Sequence, residues 1–297
     1  MSTKTQSTFD VAAYKAGQLA GWEDTAEAWR DYVEVSERQW RSTGERLLEL
    51  AGVKKGDQVL DVATGPGEPA LIAARRVGDG GRVVGTDLSP KMLAIARQRA
   101  NAAGLENVAF EVVDADAPGL PERSFDAAVC RWGVMFFADL NKALTAIRRS
   151  LLPGGRFAAC AVGPPDKHPM LELEQKVLLT VLELPPPPEP PAGAPGFYSL
   201  ADPSVLDAAF HDAGFADVRI EPFELTYVFE SGEEFAQWHA AINPFVKQLI
   251  SQRPERSSKA LHAVAAAADQ YRQPDGKIRF GPDHNLYAVG TRPRDDL

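Results

Sequence analysis

The sequence has little of what marks secreted, membrane-spanning or metal-binding proteins. Its two cysteines, Cys130 and Cys160, lie in separate apolar runs, which favours reduced thiols in a core, and a zinc site would need more ligands at closer spacing. No run of 18 apolar residues occurs, and the first ten residues contain no apolar segment. We therefore expect a cytoplasmic protein with no metal site, no membrane helix and no secretory leader.

A surplus of basic residues is also absent. The chain has 32 Lys and Arg against 41 Asp and Glu, which gives a formal net charge of −9. Proteins that bind duplex nucleic acid need a basic surplus, because Lys and Arg displace the counterions around phosphates. The composition therefore argues against a nucleic-acid partner and favours a small-molecule substrate. It does not indicate an oligomeric state.

Short apolar runs alternate with helical segments in the first half of the chain. The runs predicted to be strands are 58–63, 82–88, 108–115, 125–132 and 156–162. Helix starts lie between them at Ser89, which precedes Pro90, and at Asp139. This alternation predicts parallel βαβ units in a doubly wound α/β sheet with helices on both faces.

The remaining segments surround that core. We divide the chain into an N-terminal helical region (1–50), a core (51–162), an insertion (163–200) and a C-terminal part (201–297) with a helical insertion at 231–273. Within these parts the patterns predict a helix over 22–50, helices over 170–184, 231–252 and 255–272, and strands over 218–230, 277–280 and 285–292. The proline run at 185–191 is interpreted as a stiff spacer.

The most informative segment is D-V-A-T-G-P-G-E-P-A at residues 61–70. A buried strand leads into a glycine-rich turn and then into a helix. Gly65, Gly67 and Ala70 satisfy the pattern G-x-G-x-x-[G/A], in which glycines let the backbone approach a ligand. The pattern by itself fits NAD as well as S-adenosylmethionine.

Acidic residues at the ends of three successive strands strengthen the case for a nucleoside site. Asp87 follows Gly67 by twenty residues, where a carboxylate accepts hydrogen bonds from both ribose hydroxyls. Asp114 ends the third strand, within reach of an adenine amino group. A single aspartate at a strand end is commonly a turn former. Asp61, Asp87 and Asp114 together favour a ligand at the carboxyl edge of the sheet.

In this order, four motifs resemble those of the class I S-adenosylmethionine-dependent methyltransferases. They are D-V-A-T-G-P-G-E-P, G-T-D-L-S-P-K-M-L, V-V-D-A-D and L-L-P-G-G-R-F. The nearest branch includes the ubiquinone/menaquinone-biosynthesis methyltransferases. The resemblance covers about residues 45–162 and implies a Rossmann-like, seven-stranded sheet whose last strand, N-L-Y-A-V-G-T-R, is antiparallel.

The resemblance also implies S-adenosyl-L-methionine as the cofactor and in-line methyl transfer to a small-molecule acceptor. Asp61 would steady the glycine loop near the methionine amino group, and Gly65 and Gly67 would line the methionine and ribose. Asp87 would hold the ribose hydroxyls, and Arg131 would offer its backbone to the methionine end. The other cofactor contacts predicted are Ala63, Leu88, Met92, Asp114 and Ala115.

Asp61 distinguishes between NAD and S-adenosylmethionine as the cofactor. A carboxylate four residues before Gly65 would repel a pyrophosphate, but it favours the positively charged amino group and sulfonium of S-adenosylmethionine. Two alternatives stay open: an S-adenosylmethionine-binding protein with a non-methylating role, and an NAD(P)-dependent oxidoreductase, which Asp61 disfavours.

No catalytic residue is predicted, because methyl transfer mainly requires alignment and exclusion of water. A general base is needed only when the acceptor loses a proton, and none of the five histidines is singled out. The two insertions are expected to form a mostly helical lid over the acceptor, because such insertions lie over the ligand crevice. The residues predicted to line the acceptor pocket are Trp22, Trp132, Phe136, Phe197, Trp238 and His239.

Overall fold

The computed structural model describes residues 9–117, 119–188, 190–191 and 193–295. The first eight residues, most of the segment in which no secretory leader is expected, lie outside the described residues, as does Glu189 of the proline run. None of the helices within the described ranges is long and apolar enough to cross a membrane.

A seven-stranded sheet forms the centre of the molecule. Its strands are β1 (Gln58–Val62), β2 (Arg82–Asp87), β3 (Val108–Val112), β4 (Phe125–Arg131), β5 (Leu151–Val162), β6 (Ala216–Phe229) and β7 (Ile278–Thr291). Their order across the sheet is β3-β2-β1-β4-β5-β7-β6, with β7 antiparallel to both β5 and β6. The Rossmann-like sheet with an antiparallel last strand is thereby confirmed.

The strand order reverses between β1 and β4, and this reversal positions the site. The chain winds from β1 to β2 and β3 on one side, then returns to place β4 and β5 on the other. The central strands are buried on both faces, so Val59, Leu60 and Val62 form a nearly continuous apolar run. Loops that leave β1 and β4 must diverge there, which opens a crevice at the carboxyl ends of the strands.

Ten helices are present in the described part of the chain. They are α1 (Val11–Asp31), α2 (Val33–Leu50), α3 (Glu68–Val77), α4 (Pro90–Ala102), α5 (Leu140–Ser150), α6 (Pro169–Leu182), α7 (Pro203–Asp212), α8 (Gly232–Ile242), α9 (Pro244–Ser251) and α10 (Ser257–Ala268). The predicted caps are confirmed: Ser89 accepts from the Met92 amide at 3.2 Å, and Asp139 accepts from the Lys142 amide at 3.1 Å.

The N-terminal region is two helices, so the single helix predicted over 22–50 is wrong in its limits. α1 begins at Val11, where Asp10 caps it by accepting from the Ala13 amide, and the chain breaks at Tyr32. The segment 11–21 lacks a regular apolar stripe and is therefore not visible as a helix in the sequence. Contacts with α4, α8 and α9 hold it in place.

Three further boundaries differ from expectation. The helix predicted over 231–252 is divided into α8 and α9, because Asn243 caps α9 by accepting from the Phe245 amide at 3.0 Å. The runs 277–280 and 285–292 belong to one strand, β7. The strand predicted over 156–162 begins earlier, because residues 151–155 already belong to β5.

Four helices, α6, α8, α9 and α10, form the lid, which packs on the long outer ends of β6 and β7. Its core is aromatic and includes Phe229, Phe235, Trp238 and Phe280, all fully buried. Both cysteines lie in the sheet core, buried and unbridged, as expected from the sequence. The lid is thus a rigid packed layer rather than a loose loop.

We expect Gly290→Ala to lower the melting temperature. A Cβ at Gly290 in β7 would lie 2.8 Å from the Cβ of Phe215 and 2.9 Å from the ring of Phe210. Overpacking of a core site costs about 1–3 kcal/mol. Gly80→Ala is the control, because a Cβ at Gly80 meets no atom within 4 Å. Equal melting temperatures for the two variants in thermal denaturation would contradict this packing.

Candidate cofactor and acceptor site

A cavity of about 260 Å³ opens at the carboxyl ends of the parallel strands. Its floor is formed by the segments that leave them, at 62–66, 87–88, 113–116 and 131–138. Helix α1 and the lid close the opposite side. One chamber therefore borders most of the predicted cofactor and acceptor residues; Asp61, Gly67 and Trp238 are the predicted residues that do not line it.

Asp61 lies beneath the loop after β1 and is fully buried. Its Oδ2 accepts from the Thr64 hydroxyl at 2.5 Å, and its Oδ1 has no hydrogen-bond partner among the described residues. Burial raises the pKa of Asp61 to about 7, against the opposing effects of the Thr64 hydrogen bond and the Arg131 charge. A cation bound above this carboxylate would relieve the desolvation penalty.

The two glycines of the loop have different roles. Gly65 lines the cavity with a positive φ of 55°. Gly67, also in the left-handed region at 90°, begins α3 and faces α4, where a Cβ would lie 2.8 Å from that of Ala96. Gly67 is not among the cavity-lining residues, so its predicted contact with the methionine and ribose is corrected to a close packing of two helices.

Asp87 joins the loops after β1 and β2. Its Oδ2 accepts from the Gly65 amide and its Oδ1 from the Ser89 amide, both at 2.9 Å. Burial raises the pKa of Asp87, although these backbone hydrogen bonds oppose the shift. The carboxylate lines the cavity beside Leu88 and Met92, as do Ala63, Asp114 and Ala115.

Lys15 on α1 is a cavity residue that the sequence did not indicate. Its Nζ lies 2.7 Å from Asp114 Oδ2 and 3.1 Å from Asp116 Oδ2. Desolvation lowers the pKa of Lys15, but its hydrogen bonds with the two carboxylates outweigh that effect and leave the pKa raised. The predicted adenine contact Asp114 is thus engaged by α1 in this structure.

The side chain of Arg131 makes contacts in the site that the sequence did not predict. The guanidinium pairs with Glu68, and both side chains are nearly buried. It also lies 5.7 Å from the ring centre of Trp40 and 5.8 Å from that of Trp132. Glu68 belongs to the motif D-V-A-T-G-P-G-E-P, but only the tertiary structure shows that Arg131 is its partner.

Aromatic rings form the other part of the cavity wall. Phe136 lies at the centre, with its ring 5.7 Å from Trp22, 6.3 Å from Phe197 and 6.4 Å from Phe245. Trp132 also lines the cavity and donates through Nε1 to Asn285 Oδ1 at 3.3 Å. The further aromatic lining residues, which were not predicted, are Tyr14, Trp29, Trp40, Phe137 and Tyr227. The structure thus places four of the predicted acceptor residues in one cavity wall: Trp22, Trp132, Phe136 and Phe197.

The prediction that Trp238 lines the pocket is wrong. Trp238 is fully buried in the lid core, where its Nε1 donates to Ser36 Oγ at 3.0 Å. Successive residues on a helix point about 100° apart, so His239 faces the cavity while Trp238 faces the core.

Two buried histidines line the cavity, and each is paired with a carboxylate. His239 Nδ1 contacts Glu174 Oε2, and its Nε2 lies 3.1 Å from Asn243 Nδ2. His168 Nδ1 lies 3.2 Å from Asp283 Oδ2. Burial raises the pKa of Asp283, against the opposing effect of His168. The acidic partners lie far away in sequence, which is why neither pair was predicted.

Comparison with known proteins agrees with the motifs. Residues 59–155 match a family model described as a methyltransferase domain. Demethylmenaquinone methyltransferase of Thermus thermophilus is 44% identical over 43% of this chain and 56% of its own length. Aklanonic acid methyltransferase of a Streptomyces species is 39% identical over 39% of this chain and 52% of its own length. A ubiquinone/menaquinone biosynthesis C-methyltransferase of Teredinibacter turnerae is 38% identical over 40% of this chain and 48% of its own length.

The chain thus spans about half the length of the curated relatives it matches. Among solved structures, Bacillus subtilis YcgJ superposes with a TM-score of 0.55 at 21% identity, covering 86% of this chain and all of YcgJ. The [4+2]-cyclase SpnF superposes with a TM-score of 0.51 at 20% identity, covering 86% and 82%. These likenesses concern the fold.

The family match coincides with the part of the chain that carries β1–β4, the start of β5 and the cofactor motifs, and it ends before the lid. Over residues 59–155 the chain matches a methyltransferase domain, and it is similar to methyltransferases of ubiquinone and menaquinone biosynthesis.

Proposed function

We propose that this protein transfers the methyl group of S-adenosylmethionine to a flat, aromatic small molecule. The observation that carries the proposal is the division of one cavity into two chemically different parts. Carboxylates and the glycine loop form one part, and packed aromatic rings form the other. A charged nucleoside and an apolar ring would fill such a cavity together.

The polar part fits S-adenosylmethionine better than a dinucleotide. The half-buried Asp87 carboxylate lines the cavity and favours a ligand with hydroxyl groups, and the unpartnered Oδ1 of Asp61 lies beneath the loop that borders the cavity. Glu68, in the first turn of α3, places another acid at the helix end that a pyrophosphate would need. Arg131 is already paired with that acid. An NAD(P)-dependent role is therefore disfavoured.

The cofactor supplies a methyl group that its sulfonium has already activated for displacement. The chain would hold it through Asp87 at the ribose, with Leu88 and Met92 beside the adenine. Trp22 and Phe136 would orient the acceptor ring, and α1 and the lid would exclude water. Alignment in a dry site is the main catalytic requirement of such a transfer.

The aromatic walls support a ring-shaped acceptor, and the quinones in the names of the relatives belong to that class. Phe136 presents its ring between Trp22 and Phe197, at distances typical of favourable aromatic contacts. Because the methyltransferase family model ends at residue 155, we infer that the acceptor is chosen largely by the lid residues that follow it.

S-Adenosylhomocysteine is expected to raise the melting temperature where NAD and NADP do not, because a ligand stabilises the folded state that binds it. Asp87→Ala should weaken S-adenosylhomocysteine binding by about tenfold or more in calorimetry, since hydrogen bonds to a charged group are each worth about 1.5–3 kcal/mol.

Asp126→Ala is the matched control for this test. Its carboxylate likewise accepts a backbone hydrogen bond, from the Gln58 amide at 2.8 Å, but at the opposite end of β1. It should change stability and leave affinity for S-adenosylhomocysteine intact. Stabilisation by NADP alone, or equal affinities in wild type and Asp87→Ala, would contradict the assignment.

The pH dependence of stability should carry the signature of Asp61. Its pKa of about 7 in the folded state exceeds the ordinary value of 3.8, so the folded state binds the extra proton between these values and loses stability as pH rises. Between pH 5 and 8 the loss is about 2–3 kcal/mol. Asp61→Asn should remove this slope in denaturant titrations of the unliganded protein. If the free energy of unfolding varies with pH in the same way in wild type and Asp61→Asn, the raised pKa of Asp61 is excluded.

Replacing Phe197 tests the aromatic chamber. We expect Phe197→Ala to raise KM for an aromatic acceptor, found in a panel of quinols and naphthols, about tenfold, because it removes a face of the ring pocket. Affinity for S-adenosylhomocysteine should stay unchanged. Val205→Ala, at an exposed position on α7, is the control. If Phe197→Ala keeps the wild-type KM and acceptor preference, the acceptor binds elsewhere.

A further inference from the structure

The glycine loop after β1 has a backbone with unusual conformational freedom. Gly65 and Gly67 both have a positive φ, and Pro66 between them has no backbone N–H to donate. Glycine loses more conformational freedom on folding than any other residue, so such a loop keeps one shape only when other parts of the chain hold it. Gly65 and Pro66 line the cavity, and the shape of the loop is therefore part of the predicted cofactor site.

Helix α4 supplies two contacts that hold this loop. Ala96 packs against Gly67, and one turn further along the helix Arg99 Nη1 donates to the carbonyl oxygen of Pro66 at 2.7 Å. Met92, which lines the cavity, precedes Ala96 by four residues, and Arg99 follows Ala96 by three, so the three side chains share one face of α4. The same face of the helix therefore serves the loop and the cavity.

Glu37 on α2 holds Arg99 in this position. Its Oε1 contacts Arg99 Nη2, and its Oε2 lies 3.2 Å from Arg41 Nη2. The Arg99 side chain is 17% exposed and that of Arg41 is 51% exposed, so Arg99 is the inner partner of the carboxylate. Desolvation lowers the pKa of Arg99, and the charges of Glu37 and Glu68 oppose that shift. A guanidinium that has lost most of its water requires such a partner.

We propose that Arg99 is a positioning residue for the glycine loop and that Glu37 acts on the cofactor through Arg99. This proposal rests on the proposed function, because the loop is where S-adenosylmethionine would bind. The planar fork of a guanidinium binds a carbonyl and a carboxylate at once, here Pro66 and Glu37. Neither Arg99 nor Glu37 lines the cavity, so both reach a ligand through the loop alone. Glu37 precedes residue 59, where the family match begins.

The contribution of Arg99 is to order the loop before the cofactor arrives. Without its hydrogen bond the loop samples other shapes, and a ligand must then order it on binding. We expect Arg99→Gln to weaken S-adenosylhomocysteine binding about tenfold in calorimetry, which is the scale of one hydrogen bond to a charged group. KM for S-adenosylmethionine should rise while kcat at saturating cofactor stays unchanged, because ground state and transition state lose the same binding.

Deuterium exchange in the unliganded protein tests the cause without ligand or turnover. We expect the peptide that covers residues 61–70 to exchange faster in Arg99→Gln than in wild type, because its amides lose protection when the loop opens. Arg99→Lys should recover part of the affinity for S-adenosylhomocysteine. An ammonium can donate to the Pro66 carbonyl, but it lacks the fork that binds Glu37 at the same time.

Glu37→Gln provides a second test if the Arg99 variants fold poorly. It should weaken S-adenosylhomocysteine binding by about threefold, and the double variant should bind no more weakly than Arg99→Gln alone, because Glu37 acts through Arg99. Two controls should keep the wild-type affinity. Arg41→Gln removes the outer partner of the same carboxylate. Arg148→Gln removes a similar bond outside the cavity lining, from Nε to the Ala213 carbonyl at 2.7 Å.

Wild-type affinity and wild-type exchange in Arg99→Gln would overturn the proposal. Equal losses of affinity in Arg99→Gln and Arg41→Gln would also overturn it, since they would show an effect of net charge, and so would additive losses in the double variant. Failure of the wild type to bind S-adenosylhomocysteine would overturn the proposed function together with this proposal. Because the other outcomes are read in variants of a protein whose wild type binds, the two failures are distinguishable.

Discussion

Several elements of this structure supply cations or donors to buried carboxylates near the carboxyl ends of the strands. Asp61, Glu68, Asp116 and Asp283 each retain an oxygen without a hydrogen-bond partner in the described part of the chain. An acid removed from water is costly unless a donor or a cation compensates it. Lys15, Arg131 and His168 meet part of that requirement from three different elements. What is left uncompensated is acidic, and of these four carboxylates only Asp116 lines the cavity.

The aromatic half of the cavity follows from a different constraint. α1, the segment after β4 and the lid approach one another over the strand ends. Rings from each element meet at Phe136, so the wall is assembled from distant parts of the chain. Phe136 lies within the matched methyltransferase domain, whereas the rings of Trp22, Phe197 and Phe245 come from outside it.

What could be predicted from the sequence was what is encoded locally. The strand-end aspartates, the glycine loop and the caps at Ser89 and Asp139 each depend on neighbours within a few residues, and the fold follows from their alternation. The pairing of Lys15 with Asp114 was invisible, because the first turns of α1 show no apolar periodicity. Trp238 and His239 were grouped together as pocket residues, yet only the packing of α8 decides which of the two faces the cavity. The partners of the histidines, Glu174 and Asp283, depend on how the lid meets β7.

The placement of the tryptophans has a consequence for spectroscopy. Four of the five, Trp22, Trp29, Trp40 and Trp132, line the cavity. The fifth, Trp238, has its ring centre 5.2 Å from that of Trp40, close enough to share excitation with it. Nearly all ultraviolet emission of the protein therefore originates in the walls of its own binding chamber. The intrinsic fluorescence of the chain is a built-in reporter of whatever enters that space, and no attached dye is needed to follow it.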